Sequence, residues 1–256
     1  MSITENLQAF ALRRLAAVRP DALEALQEPK HVVRDESLLA RVARLGERLC
    51  AYQNEAYAER YRQLVAEVSR AERHAAPGSE KLTATVAETY FQLLAYKDEY
   101  EVARLYTSPE FRKRLEAQIE GDYSLELLLA PPLWARRDPD TGRPHKHAYG
   151  SWMLGAMRVL AKLRFLRGTA LDPFGYTADR RLERSLIRGY EDTVRRLLTG
   201  LSKDNIALAV RIAELPREIR GFDLVKRERA KKVLAQSEDL LERFELKHAP
   251  PEEPEE

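Results

Sequence analysis

From about Asp35 the apolar positions Leu38, Val42, Leu45, Leu49, Tyr52 and Ala56 advance by alternating steps of four and three, and the pattern resumes at Tyr57, Tyr61, Leu64, Val65 and Val68. Side chains at these separations share one face of an α-helix, so the spacing predicts one long helix or two nearly collinear ones, with the stripe shifting near Gln53-Asn54. Upstream, Thr4 caps a helix carrying Leu7, Phe10, Ala11, Leu15 and Val18, and Pro20 starts a short second helix through Leu26. Ala75-Ala-Pro-Gly78 breaks the long pattern. Ser79 is placed to cap the next helix, whose Leu82, Val86, Tyr90 and Leu93 run into the stretch from Ala95 to Pro109.

That stretch puts charge where apolar residues belong. On a continued helix Lys97, Glu101 and Arg104 fall in line with Tyr90, Leu93 and Leu94. Lys97 stands four residues before Glu101 and Arg104 three after it, so both cations can clamp one carboxylate. Three readings follow: a solvated helix end, a structural ion network, or a catalytic or ligand-binding cluster. Ser108-Pro109-Glu110 then carries a capping hydroxyl, a first-turn proline and a carboxylate, and starts a helix to about Ile119.

The period changes next. Asp122–Leu129 and Arg143–Tyr149 flank Pro131-Pro132 and a turn-rich segment, which reads as a β-hairpin or paired extended arms. His145 and His147 share one strand face and could hold a metal, but no third ligand lies close in sequence. Trp152 to Phe165 is helical again, with Met153, Met157, Leu160, Ala161 and Leu163 reading as core rather than as a cofactor box. The loop from Arg167 to Tyr176 mixes rigid and permissive residues. Asp172, Phe174 and Tyr176 are its candidate functional positions, the plain alternative being a buried plug.

Thr177 caps a helix with the core stripe Leu182, Leu186, Tyr190, Val194, Leu197 and Leu201. Another face carries Arg180, Arg184, Arg188 and Arg195. This cationic stripe is either solvated and partly neutralised by Glu191 and Asp192, or a contact for an acidic partner or a phosphate. Ser202 caps a short helix over 205–215, and Gly221 opens a last one with Val233, Leu234, Leu240, Leu241 and Phe244 beside the basic run Lys226–Lys232. The expected architecture is mainly α: a single helical domain over 1–248 with about eight to nine helices, a small hairpin insertion near 122–149, and a disordered acidic tail over 249–256.

Composition narrows the function. The 43 basic and 41 acidic side chains leave a net charge of +2, so no general pull toward nucleic acid or membrane is expected. Cys50 is the sole cysteine, which forbids an intrachain disulfide and cannot by itself hold a cluster or structural zinc. A cytoplasmic protein is expected, since no run of about 18 apolar residues or secretion signal occurs. Neither a phosphate-cradling glycine loop nor a nucleophile elbow is present, so no catalytic residue is assigned.

Leu94-Ala-Tyr-Lys-Asp-Glu-Tyr-Glu-Val-Ala-Arg-Leu-Tyr106 resembles the helical C-terminal region of the large fused bacterial indolepyruvate ferredoxin oxidoreductases. Segments Ala51–Tyr61, Phe111–Asp122, Leu129–Pro132, Gly142–Pro144, Leu171–Thr177 and Ile219–Phe222 resemble that region in the same order, from about Asn6 to Phe244. The resemblance implies a complex that oxidatively decarboxylates arylpyruvates to acyl-CoA. Thiamine diphosphate and iron–sulfur clusters would sit in partner chains, with none bound by this one. Its implied role is a non-catalytic structural or docking subunit or domain, with other subunits of the 2-oxoacid ferredoxin oxidoreductase, or ferredoxin, as partners. Two other classes stay open: an anion- or CoA-binding regulatory domain using Arg180, Arg184 and Arg188, and an independent enzyme using the Lys97, Glu101 and Arg104 cluster.

Overall fold

Asn54 divides the first apolar stripe. In the computed structural model, which describes residues 36–119, 121, 124–130, 145–221 and 223–246, Leu38–Tyr52 forms α1 and Glu55–Ala75 forms α2. The Asn54 side chain accepts the N–H of Tyr57 at 2.9 Å and so restarts the helix where the stripe shifts. The described residues lie almost wholly in one compact unit, 41–256. Of the other unit, 1–40, only 36–40 are described, where the Ser37 hydroxyl accepts the N–H of Ala40. The helices expected between Thr4 and Leu26 and the acidic tail lie outside the described residues.

Helix α3 (Lys81–Leu94) is capped chiefly from its neighbour, with the Ser79 hydroxyl accepting only the Lys81 N–H at 3.4 Å. The fully buried carboxylate of Glu72, in the last turn of α2, accepts the N–H groups of Leu82 (2.9 Å) and Thr83 (2.7 Å) and the hydroxyls of Ser79 and Thr83 (both 2.6 Å). A carboxylate facing the positive end of a helix outcompetes a neutral hydroxyl, so Ser79 becomes a donor to the cap. Burial opposes the charge on Glu72, yet the four hydrogen bonds outweigh it and hold its pKa below the usual carboxylate value.

The continuous helix expected through Lys97 is broken. Residues 95–98 leave the helical path, and Asp98 caps a new helix, α4 (Glu99–Tyr106), by accepting the N–H of Glu101 at 2.8 Å. Carbonyls freed at the break find side-chain donors: Leu94 O receives the Tyr57 hydroxyl at 3.0 Å and Tyr96 O the Tyr52 hydroxyl at 2.9 Å. Ser108 caps α5 (Pro109–Gln118) as its position predicts. Strands β1 (Leu127–Leu129) and β2 (His147–Tyr149) pair antiparallel, with Leu127 opposite Tyr149. The segment 131–144 between them is outside the described residues.

Helix α6 (Met153–Lys162) tightens into a 3-10 turn over Leu163–Leu166, and Thr177 caps α7 (Ala178–Thr199). Next come α8 (Ile206–Glu214), a 3-10 turn over Leu215–Glu218 and α9 (Asp223–Leu246). Among the described residues this makes nine α-helices and one two-stranded ribbon, a mainly α domain. Two apolar clusters organise it. The larger gathers Leu49, Tyr61, Val68, Val86, Tyr90, Tyr190, Val194, Ile212, Leu241 and Phe244 from six helices; the smaller joins Ala103 of α4, Leu127 of β1 and Met157 of α6. Leu234, expected in the buried stripe of α9, is 49% exposed. Part of the basic run of α9 is paired rather than free, Lys226 with Glu183 at 2.6 Å and Arg227 with Asp179 at 2.7 Å. No helix among the described residues is long and apolar enough to cross a membrane.

Candidate functional site

After the 3-10 turn the chain directs Arg167 inward. Its guanidinium forks onto Asp98, Nε to Oδ2 at 2.5 Å and Nη2 to Oδ1 at 2.9 Å, while Nη1 donates to Tyr52 O at 2.7 Å. It also lies 3.7 Å above the Tyr52 ring. Both partners are buried. Desolvation disfavours the charge on Arg167, but the Asp98 hydrogen bonds and nearby negative potential raise its pKa, so it stays ionised. Asp98, at the break before α4, thus caps that helix and holds Arg167 at the same time.

The loop that follows is tied by Asp172. Its carboxylate accepts the N–H groups of Gly168 (2.9 Å) and Phe174 (3.1 Å) and the Tyr100 hydroxyl (3.1 Å). Gly168 has φ +75°, and a Cβ on Gly175 would lie 2.9 Å from Asp172 Oδ2, so both glycines are required by the turn. Phe174 packs edge-on against Tyr100 at 5.4 Å. Tyr176 is 66% exposed and donates to Ala170 O. Two of the three candidate loop residues therefore bind the loop to α4, and the third faces outward.

The arginine stripe does not form one solvated ridge. Arg180 is half-buried and forks onto Glu99 at 3.1 and 3.3 Å; Arg184 donates to Gly175 O at 2.6 Å; Arg188 is exposed, and no described carboxylate lies within ion-pair distance of Arg184 or Arg188. Glu191, expected to neutralise the stripe, instead turns into the core, where Arg60 forks onto it at 2.6 and 2.9 Å and the Tyr90 hydroxyl donates to it. Those bonds outweigh its burial and hold its pKa low. The trio of Lys97, Glu101 and Arg104 is likewise divided. Arg104 forks onto Glu101 at 2.7 and 2.8 Å, whereas Lys97 lies in the 95–98 connector, exposed and without an ion pair to a described residue. His145 and His147 are exposed, and no group of three or more metal-ligating side chains occurs among the described residues.

These elements frame a cleft of about 270 Å³ lined by Arg60, Arg167, Arg184 and Arg188 together with Tyr57 and Tyr96, and by no Asp or Glu. Burial and the charge of Asp98 push the Tyr96 phenol up to about 12, so it is a neutral hydrogen-bonding group at ordinary pH. A larger recess of about 630 Å³ elsewhere mixes Arg112 and Arg158 with Glu126 and lacks this uniform sign. Sequence reading misses Asp98, Arg167 and Arg60. Asp98 followed by Glu101 is a capping signal that could have revealed the break. No local signal joins Arg60 to Glu191, 131 residues away.

Comparison with curated proteins finds no match, and comparison with solved structures finds none either. A family model does match residues 38–239, from the start of α1 nearly to the end of α9. On that match, which covers well over half of its length, the chain belongs to the family of unknown function DUF6537.

Proposed function

We propose that the chain is a non-catalytic structural or docking component of an indolepyruvate-type 2-oxoacid ferredoxin oxidoreductase. One observation carries the reading: segments that resemble the C-terminal region of those enzymes, far apart in sequence, meet around one buried network. Tyr52 comes from the Ala51–Tyr61 segment, Asp98 and Tyr100 from Leu94–Tyr106 and Asp172 from Leu171–Thr177, and hydrogen bonds link Tyr52 to Asp98 through Arg167 and Tyr100 to Asp172. Residues that fix one another in this way are a reason for such segments to recur together. The network is pinned and buried, which suits a rigid platform for partner chains better than a centre that must expose reacting groups.

In this role the chain supplies surface and orientation, and thiamine diphosphate and the clusters reside in its partners. The test is tagged purification from the native host at low salt. Chains with thiamine-binding and cluster-binding sequences should co-elute, and the fraction should reduce ferredoxin when given an arylpyruvate and CoA. Elution of the chain alone, with that activity in a separate fraction, would count against the proposal.

A further inference from the structure

We propose that the arginine cleft between α2, α7 and the 95–98 and 167–168 segments is a binding site for the phosphoryl group of a small molecule. The inference begins with a charge count. Of its four guanidinium groups, that of Arg167 is matched by Asp98 and that of Arg60 by Glu191, each in a two-pronged pair. Arg184 gives one N–H to the Gly175 carbonyl, which carries no net charge, and Arg188 is exposed with no described carboxylate partner. The lining therefore holds two uncompensated positive charges and no acidic side chain. Gln53 and Tyr96 also line it, and neither side chain donates a hydrogen bond to a described residue.

A phosphate monoester carries about −1.5 to −2 charge near neutral pH and three strong acceptor oxygens, which matches two free cations better than a single carboxylate does. Guanidinium groups also present paired N–H donors at the spacing of phosphate oxygens. The volume, about 270 Å³, lies just under the range of roughly 300–1,000 Å³ of sites for drug-sized ligands, so a small ligand or the head of a larger one fits. The walls are fixed in advance. Asp98 immobilises Arg167, Glu191 immobilises Arg60, and the Asp172 turn fixes the Gly175 carbonyl that orients Arg184. Preorganisation of this kind lowers the ordering cost of binding. The site differs from the anion reading based on sequence, because Arg180 is engaged by Glu99 and does not line the cleft.

The experiment is calorimetric titration of the full chain with inorganic phosphate at low ionic strength and mildly alkaline pH, where the free ion is mainly the dianion that a monoester resembles. Saturable binding of one phosphate is expected. Arg188→Ala should raise Kd by about tenfold or more through loss of a charge-assisted contact. Arg195→Ala, on the same helix but outside the cleft, should leave Kd unchanged. Circular dichroism of both variants checks that the fold is retained. Absence of saturable binding overturns the proposal, as does equal weakening by Arg195→Ala, which would mean diffuse attraction. Acetate competing as well as phosphate at matched ionic strength overturns it too. The outcome is independent of the docking reading, which is tested by co-elution.

Discussion

Arg167 and Asp98, 69 residues apart in the chain, share two hydrogen bonds of 2.5 and 2.9 Å, with both side chains only 3% exposed. Each depends on the other, since the removal of one leaves a buried charge. Asp98→Asn and Arg167→Met should each cost about 3–5 kcal/mol, and the double variant should cost less than their sum. Urea denaturation of the four proteins of this cycle measures the coupling. Additive effects would show that the two charges are stabilised separately.

Glu72 joins α2 to α3 by accepting four hydrogen bonds in a fully buried position. Its pKa is depressed in the folded state, so the unfolded chain takes up the proton first as pH falls. The stability it contributes is present above the ordinary carboxylate pKa and is lost as pH drops through the lower, folded value. Glu72→Gln should cost about 2–3 kcal/mol near neutral pH, because an amide presents donors to backbone N–H groups that require an acceptor. The variant's stability should also fall less steeply in acid. A variant and parent that lose stability in parallel below pH 5 would contradict this.

The helical class, the shift of stripe near Gln53-Asn54 and the caps at Ser108 and Thr177 were legible because each depends on neighbours within one or two turns. The Asp98 break is half legible: Asp98 and Glu101 have the spacing of a capping box, but the apolar stripe through Leu94 favours a continuous helix. What could not be read was pairing across the fold. Glu191 sits among arginines in sequence yet faces Arg60 and Tyr90, because its position on α7 points toward α2 and α3. Ser79 keeps only the Lys81 N–H and cedes those of Leu82 and Thr83 to Glu72 for a similar reason, since the competing acceptor lies in the preceding helix. Of the arginine stripe, Arg184 and Arg188 line the cleft and Arg180 does not, while Arg60 and Arg167 enter it from segments with no signal of their own.

Tyr61 gives a case of the opposite sign. Its ring is fully buried, stacked near Tyr90 at 6.0 Å, and its hydroxyl has no hydrogen-bond partner among the described residues. A buried unpaired hydroxyl costs about 1–3 kcal/mol, and its removal leaves the ring packing in place. Tyr61→Phe should raise stability, by about 1 kcal/mol, read as a higher midpoint in thermal and urea unfolding. A loss of stability would mean that the hydroxyl is satisfied.

The division of the Lys97, Glu101 and Arg104 trio sets a middle value. Glu101 is 12% and Arg104 31% exposed in their side chains, between a surface pair and a buried one. Glu101→Gln should therefore cost about 1 kcal/mol, more than most exposed pairs and well below the loss of a buried one. Lys97→Ala should leave the melting midpoint unchanged. A comparable loss in both variants would restore the three-membered network.

Arg188 is also the cleanest probe of docking. Arg180 and Arg184 hold Glu99 and the Gly175 carbonyl, so reversing either charge would disturb the loop as well as the surface. Arg188 is exposed, and no described carboxylate pairs with it, so Arg188→Glu changes the local potential without breaking a contact within the chain. If an acidic surface of the oxidoreductase core or ferredoxin meets this part of α7, the variant should associate more slowly and with less dependence on salt. Charges at the edge of an interface act mainly on the encounter rate, and their effect fades once the screening length falls to roughly 10 Å at 0.1 M salt. Association kinetics with the co-purified partner at low and high salt supply the measurement. Identical rates at low salt for parent and folded variant would place docking on another face of the molecule.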